Sequence, residues 1–279
     1  MLVYLNGEYI PHAEAKVSVD DRGFLFADGL YEFILVYGGQ AYLMERHMER
    51  LERGLTTLRI PCRDLDTIVE VSERLIRENG VDDFGSIYIQ VTRGAAPRQH
   101  AFPAGNTRPT VYVAVQPLDP PPGSRWTDGV DAITVPDNRW ARCDIKSTAL
   151  LPNVLANQAA HAAGAFEALF VKDGIVLEGS HSNVWAVHRG RLITYPNTNY
   201  ILPGVTRGRV FELAEELGIE AVEGLIPQEE LYDMDEIFLS GTTTEIMPVV
   251  RVDGREIVDG EPGPVTRKLL HAYRAGLPG

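Results

Sequence analysis

Two residues in this sequence point to carbonyl chemistry, a lysine among polar neighbours and a glutamate closing an apolar run. Lys146 stands in Arg142-Cys143-Asp144-Ile145-Lys146-Ser147-Thr148, between a strand expected near 131–135 and a helix expected at about 152–163. A lysine fixed at a strand end and partly desolvated has a lowered amine pKa and can form an imine with a carbonyl compound. Taken alone, such a lysine is more often a solvated surface cation. Glu178 ends the strand in Val176-Leu177-Glu178-Gly179-Ser180. A carboxylate there can keep a pyridine nitrogen protonated and make the ring an electron sink. The plainer alternative is a glutamate that caps the turn at Gly179.

Anion-binding groups accompany them. Pro203-Gly204-Val205-Thr206-Arg207 leads into a helix, whose first turn offers free N–H groups. Gly241-Thr242-Thr243-Thr244 offers small residues, hydroxyls and backbone donors. Arg50 lies on one side of a helix with His47 and can grip a phosphate bidentately. A solvated charged face explains Arg50 equally well, since Glu45, Arg46 and Glu49 are close by. Arg98 and His100, in Gly94-Ala95-Ala96-Pro97-Arg98-Gln99-His100, share a face of an extended segment. Two cationic donors there can hold a carboxylate, or form an exposed basic loop.

Composition narrows the field. The chain has 279 residues and a net charge of −13, which argues against nucleic acid or an anionic membrane as partner. A local arginine cluster can still bind an anionic substrate. Its two cysteines, Cys62 and Cys143, suit a reducing cytoplasm better than a disulfide scaffold. No basic leader with an apolar core opens the sequence, and no apolar run is long enough to span a bilayer. There is no G-x-G-x-x-G, Walker loop, H-E-x-x-H or G-x-S-x-G, and no His/Cys cluster with zinc spacing, so no metal is expected.

The positioning elements follow from periodicity and breakers. Strands are expected at 30–37, 41–43, 86–93 and 110–116 before the break, and at 131–135, 168–171, 175–177, 183–188 and 236–240 after it. Helices are expected at 45–58, with Met48, Leu51, Leu55 and Leu58 as an apolar stripe, at 65–79, at 152–163 and at 205–217. Gly80, Gly164 and Gly218 end three of them. Asp119-Pro120-Pro121-Pro122-Gly123-Ser124 is too proline-rich for helix or central strand. The class is therefore α+β in two domains: a small one at 1–118, a linker at 119–124 and a large one at 125–279.

In their order, these blocks resemble the class IV, or fold-type IV, aminotransferases, and among them the bacterial D-amino-acid transaminases. The resemblance runs from Asn6-Gly7 to Thr266-Arg267-Lys268. It rests on Asp21-Arg22-Gly23-Phe24, Phe26-Ala27-Asp28-Gly29-Leu30-Tyr31-Glu32, His47-Met48-Glu49-Arg50-Leu51, Gln90-Val91-Thr92-Arg93-Gly94 and Arg98-Gln99-His100. It continues through Arg139 to Ser147, Glu178 to Asn183, Leu202 to Arg207 and Thr242 to Ile246.

The resemblance implies a small α/β domain, a larger β-barrel-like α/β domain and pyridoxal 5′-phosphate as cofactor. It implies Lys146 as the imine-forming lysine and Glu178 as the partner of the pyridine nitrogen. Arg50, Val205, Thr206 and Thr242 fall in the phosphate cup. Tyr31, Arg98 and His100 form the trap for the substrate α-carboxylate, the last two entering from the partner of a homodimer with shared active sites. Arg-x-His is the pattern of the D-specific enzymes, so D-amino acids and 2-oxo acids are the implied substrates, with D-alanine and 2-oxoglutarate giving pyruvate and D-glutamate. The rival readings are a branched-chain L-aminotransferase, an aminodeoxychorismate lyase and a non-catalytic carrier of the cofactor. His181 departs from the small hydroxyl residue common at its position, and Phe33 and Leu35 bear on the side-chain pocket.

Overall fold

The computed structural model describes residues 1–62, 65–105 and 107–278. The chain folds into two compact units, with the boundary between Pro120 and Pro121 inside the proline run.

The first unit is a six-stranded antiparallel sheet. Its strands are β1 (Leu2–Leu5), β2 (Glu8–Pro11), β3 (Gly29–Tyr37), β4 (Gln40–Ala41), β5 (Phe84–Thr92) and β6 (Thr110–Pro117), in the order β2-β1-β6-β5-β3-β4. Asn6 and Gly7, both at positive φ, make the tight turn between β1 and β2. The helices are the short α1 (Arg22–Phe26), α2 (Met44–Leu58) and α3 (Leu65–Glu78). Strand alternation sends Leu30, Ile34 and Val36 of β3 into one core with Met48, Leu51 and Leu55 of α2 and Ile68, Val71 and Leu75 of α3. Gly54 lets α2 come close to β3, since a Cβ there would meet the Leu30 side chain at 2.9 Å.

The expected strand at 41–43 is shorter, because Leu43 takes a left-handed conformation at the start of α2. Lys146 lies at no strand end. Ile145–Ala149 groups with the first unit, where Tyr31 N donates to Lys146 O (3.1 Å) and Thr148 N to Gly29 O (3.1 Å). Backbone pairing to the start of β3 thus fixes the lysine.

The second unit contains β7 (Val130–Pro136), β8 (Glu167–Lys172), β9 (Ile175–Gly179), β10 (Asn183–His188), β11 (Arg191–Thr194), β12 (Ala221–Glu223), β13 (Ile226–Pro227), β14 (Glu236–Gly241), β15 (Glu245–Val252) and β16 (Arg255–Glu256). Along one path the strands run β10-β14-β15-β7-β8-β9, and β9 then pairs back to β10, closing a barrel. The closing pair is Glu178 with Asn183. The helices are α4 (Ser124–Asp128), α5 (Leu151–Ala162), α6 (Val205–Glu216) and α7 (Pro264–Ala275). Ala156 and Ala160 of α5 pack on Ala168 and Phe170 of β8. Seven of these elements escape pattern reading: β11, β12, β13, β15, β16, α4 and α7. All but one residue of β15 is buried, so it does not alternate. Helix α7 announces itself only by Pro264 at its start and by Leu269, Leu270 and Tyr273 on its buried side.

Candidate active site

In the first unit, Lys146 is half-buried and its Nζ donates to the Tyr31 hydroxyl at 3.3 Å. Tyr31 alternates with Glu32, which faces the other side of the sheet and is fully buried. Arg50 grips Glu32 bidentately, Nε to Oε1 at 2.8 Å and Nη2 to Oε2 at 2.7 Å, and His47 Nδ1 lies 2.7 Å from Oε2. Burial alone would raise the Glu32 pKa, but the charge and hydrogen bonds of Arg50, with those of His47, hold it down to about 2. His47 is pushed down, first by burial and then by the nearby cations Arg50 and Lys146, against the pull of Glu32. Arg50 is therefore a buried, oriented cation and not part of a solvated face. Arg98 and His100 are exposed and gather on one ring: the Arg98 guanidinium lies 5.2 Å from the Phe26 centroid and the His100 ring 5.5 Å from it.

In the second unit, Glu178 is buried where the barrel closes. Its Oε2 accepts from Leu202 N (2.9 Å) and Asn183 Nδ2 (3.1 Å), and its Oε1 from Arg139. Arg139 is itself clamped by Asp137, Nε to Oδ1 at 2.9 Å and Nη2 to Oδ2 at 3.0 Å. Burial lifts the Glu178 pKa to about 7, while Arg139 and the Leu202 N–H oppose the rise. Asn183 also reaches the start of α6, for a Cβ on Gly204 would strike its Oδ1. Val205 and Thr206 open that helix, buried, behind a Gly204 cap with no side-chain acceptor. The Gly241–Thr244 turn sits close by the β9–β10 turn, with the His181 carbonyl 3.5 Å from a Cβ placed on Gly241. Thr242 of that turn is half-buried, and the Thr244 hydroxyl is buried without a partner among the described residues. His181 Nδ1 lies 3.1 Å from Glu167, a carboxylate fully buried beneath the β9–β10 turn.

Comparison with known proteins decides the family: the model for class IV amino-transferases matches residues 29–252. The chain is a class IV aminotransferase. A D-alanine aminotransferase of Staphylococcus epidermidis is 40% identical over 97% of this chain and 96% of its own. One from Bacillus licheniformis is 39% identical over 99% and 97%. The branched-chain amino acid aminotransferase of Escherichia coli superposes with a TM-score of 0.92 at 29% identity, covering 99% of this aminotransferase and 94% of that chain. The α+β, fold-type IV architecture expected from the sequence is thereby established.

This aminotransferase uses pyridoxal 5′-phosphate, and its residues fit that group. An uncapped helix N-terminus and a turn with an orphaned hydroxyl suit a phosphate. A buried carboxylate with three donors suits a cationic ring nitrogen. Arg139, Asp137, Asn183 and Glu32 escaped sequence reading as site residues. For Glu32 a signal existed, because a carboxylate at an inward position of an alternating strand requires a buried cation.

Proposed function

We propose that this aminotransferase moves amino groups between D-amino acids and 2-oxo acids, with D-alanine and 2-oxoglutarate giving pyruvate and D-glutamate. The observation that carries the reading is the Arg98/His100 pair gathered on Phe26, in a chain whose curated relatives are D-alanine aminotransferases. Bound pyridoxal phosphate supplies an aldehyde that exchanges amines and a pyridinium ring that accepts electrons. Lys146 would hold the aldehyde end. Arg50, Val205, Thr206 and Thr242 would hold the phosphate. Glu178 would pair with the ring nitrogen, whose positive charge would add to that of Arg139 and favour the ionised carboxylate. The Lys146 amine would take the substrate α-proton as general base. Tyr31, Arg98 and His100 fix the α-carboxylate, so that only one enantiomer directs its α-hydrogen at Lys146.

The chain works as a homodimer in which Arg98 and His100 serve the partner's site; their exposure leaves them accessible to a second subunit. A cytoplasmic location agrees with a sequence of only two cysteines. Among the described residues no helix is long and apolar enough to cross a membrane.

The branched-chain reading has the structural neighbours in its favour. The 40% identity to the D-alanine enzymes against 29% to the branched-chain one weighs the other way. A coupled assay of D- and L-alanine with 2-oxoglutarate decides. D-alanine should be strongly preferred, and faster turnover of L-leucine than of any D-amino acid would overturn the reading.

A further inference from the structure

The segment that carries Arg98 and His100 has no helix or strand of its own from Pro97 to Pro103. Its backbone is gripped instead by one buried side chain. Arg22, 3% exposed at the start of α1, donates from Nη1 to Gln99 O (2.6 Å) and Ala101 O (3.4 Å), and from Nη2 to His100 O (3.5 Å). Its Nε donates to Asp28 Oδ2 at 2.8 Å. Asp28 is held in turn by Arg93, Nε to Oδ2 at 2.7 Å and Nη2 to Oδ1 at 2.9 Å. Arg93 is anchored on the end of α2, donating to Leu58 O (2.8 Å) and Arg59 O (3.0 Å). Burial works against the Asp28 charge, but the two arginines outweigh it and hold its pKa down. Arg22 also lies 4.9 Å from the Phe26 centroid, the ring on which Arg98 and His100 converge.

We propose that Arg22 is the positioning residue of the α-carboxylate trap: a fixed fork that clamps the carbonyls of residues 99–101 and so sets where Arg98 and His100 point. The inference rests on the reading of Arg98 and His100 as that trap. A guanidinium suits the task because its planar donors bind several carbonyls at once while its charge stays paired with Asp28. Lysine keeps the charge but loses the fork. Small displacements of substrate-holding groups are costly in rate and affinity.

The test uses the holoenzyme and compares Arg22→Lys, Arg22→Gln, Arg98→Ala and the Arg98→Ala/His100→Ala pair. Arg22→Lys and Arg22→Gln should raise KM for D-alanine and 2-oxoglutarate about tenfold or more, with less change in kcat and unchanged affinity for the cofactor. On the Arg98→Ala/His100→Ala background the same substitutions should add nothing, because Arg22 acts through those two residues. A normal KM in both Arg22 variants, with Arg98→Ala impaired, would overturn the inference and leave the trap standing. A normal KM in Arg98→Ala would remove the trap reading and the inference with it. Loss of the fold in both Arg22 variants would also overturn it, since Asp28 keeps Arg93 and the unit should stand without Arg22.

Discussion

Asn183 faces Glu178 across the strand pair that closes the barrel, and its side-chain amide donates to the Glu178 carboxylate at 3.1 Å. One residue pair therefore both seals the sheet and aims the acid. The same amide donates to Leu202 O at 3.0 Å, and Leu202 N donates back to Glu178. The site end of the barrel and the chain entering α6 are thus one hydrogen-bonded assembly.

Glu178 carries a stability signature in the cofactor-free protein. Burial raises its folded pKa to about 7 from an ordinary 4.5, so the folded state binds the proton more tightly than the unfolded state. Its contribution is most favourable below about 4.5 and is lost as pH rises to about 7, on the order of 3 kcal/mol in total. Relative to Glu178→Gln, wild-type apoprotein should lose thermal stability between pH 5 and pH 7 and change little above that, as read by calorimetry. In the holoenzyme, Glu178→Gln should retain the cofactor and lose most activity, because a neutral amide cannot stabilise the ring cation.

Arg139 opposes the rise in the Glu178 pKa. Arg139→Met should push that pKa higher still and move the acid limb of the activity–pH profile up by about one unit or more. An acid limb at the wild-type position would show that Arg139 serves the fold alone.

The Glu32 carboxylate binds both Arg50 and His47. Glu32→Ala removes the bidentate carboxylate from a buried guanidinium and should cost about 3–5 kcal/mol in urea unfolding. It should also weaken cofactor affinity by freeing Arg50 from its orientation. With the folded pKa at about 2, the carboxylate's stabilisation is complete above the ordinary 4.5 and is lost as pH falls through that window. Glu32→Ala should therefore be less sensitive to acid than wild type over the same range.

Lys146→Ala should abolish the borohydride-reducible attachment of the cofactor to protein. It should also lower turnover by a factor of about 100 to 10,000, the usual worth of a general base. Normal turnover in this variant would move the attachment to another lysine.

The shared-site dimer predicts complementation between two impaired proteins. Subunits of Arg98→Ala and Lys146→Ala, allowed to exchange, should recover about a quarter of wild-type activity, since half the dimers are mixed and each mixed dimer has one complete site. No recovery despite proven exchange would assign Arg98 to its own chain's site.

By itself, the sequence determined the class and the family, and it named the candidate site residues. Periodicity located α2, whose stripe of apolar side chains is a local property, and glycine stops bounded α3, α5 and α6. The blocks around Lys146, Glu178 and Arg98-Gln99-His100 were legible together, through their order and its resemblance to one family, since each residue alone reads equally well as surface or turn. Tertiary structure alone decided what holds those residues. Arg50 read as well as a solvated cation until β3 brought Glu32 beneath it from 18 positions away. Arg139 and Arg22 look like unremarkable surface charges in the sequence. They matter because a barrel closure and a turn bring the Glu178 carboxylate to one and three backbone carbonyls to the other. A buried charge is tolerated only where partners distant in sequence meet it, and no local pattern records which partners those are.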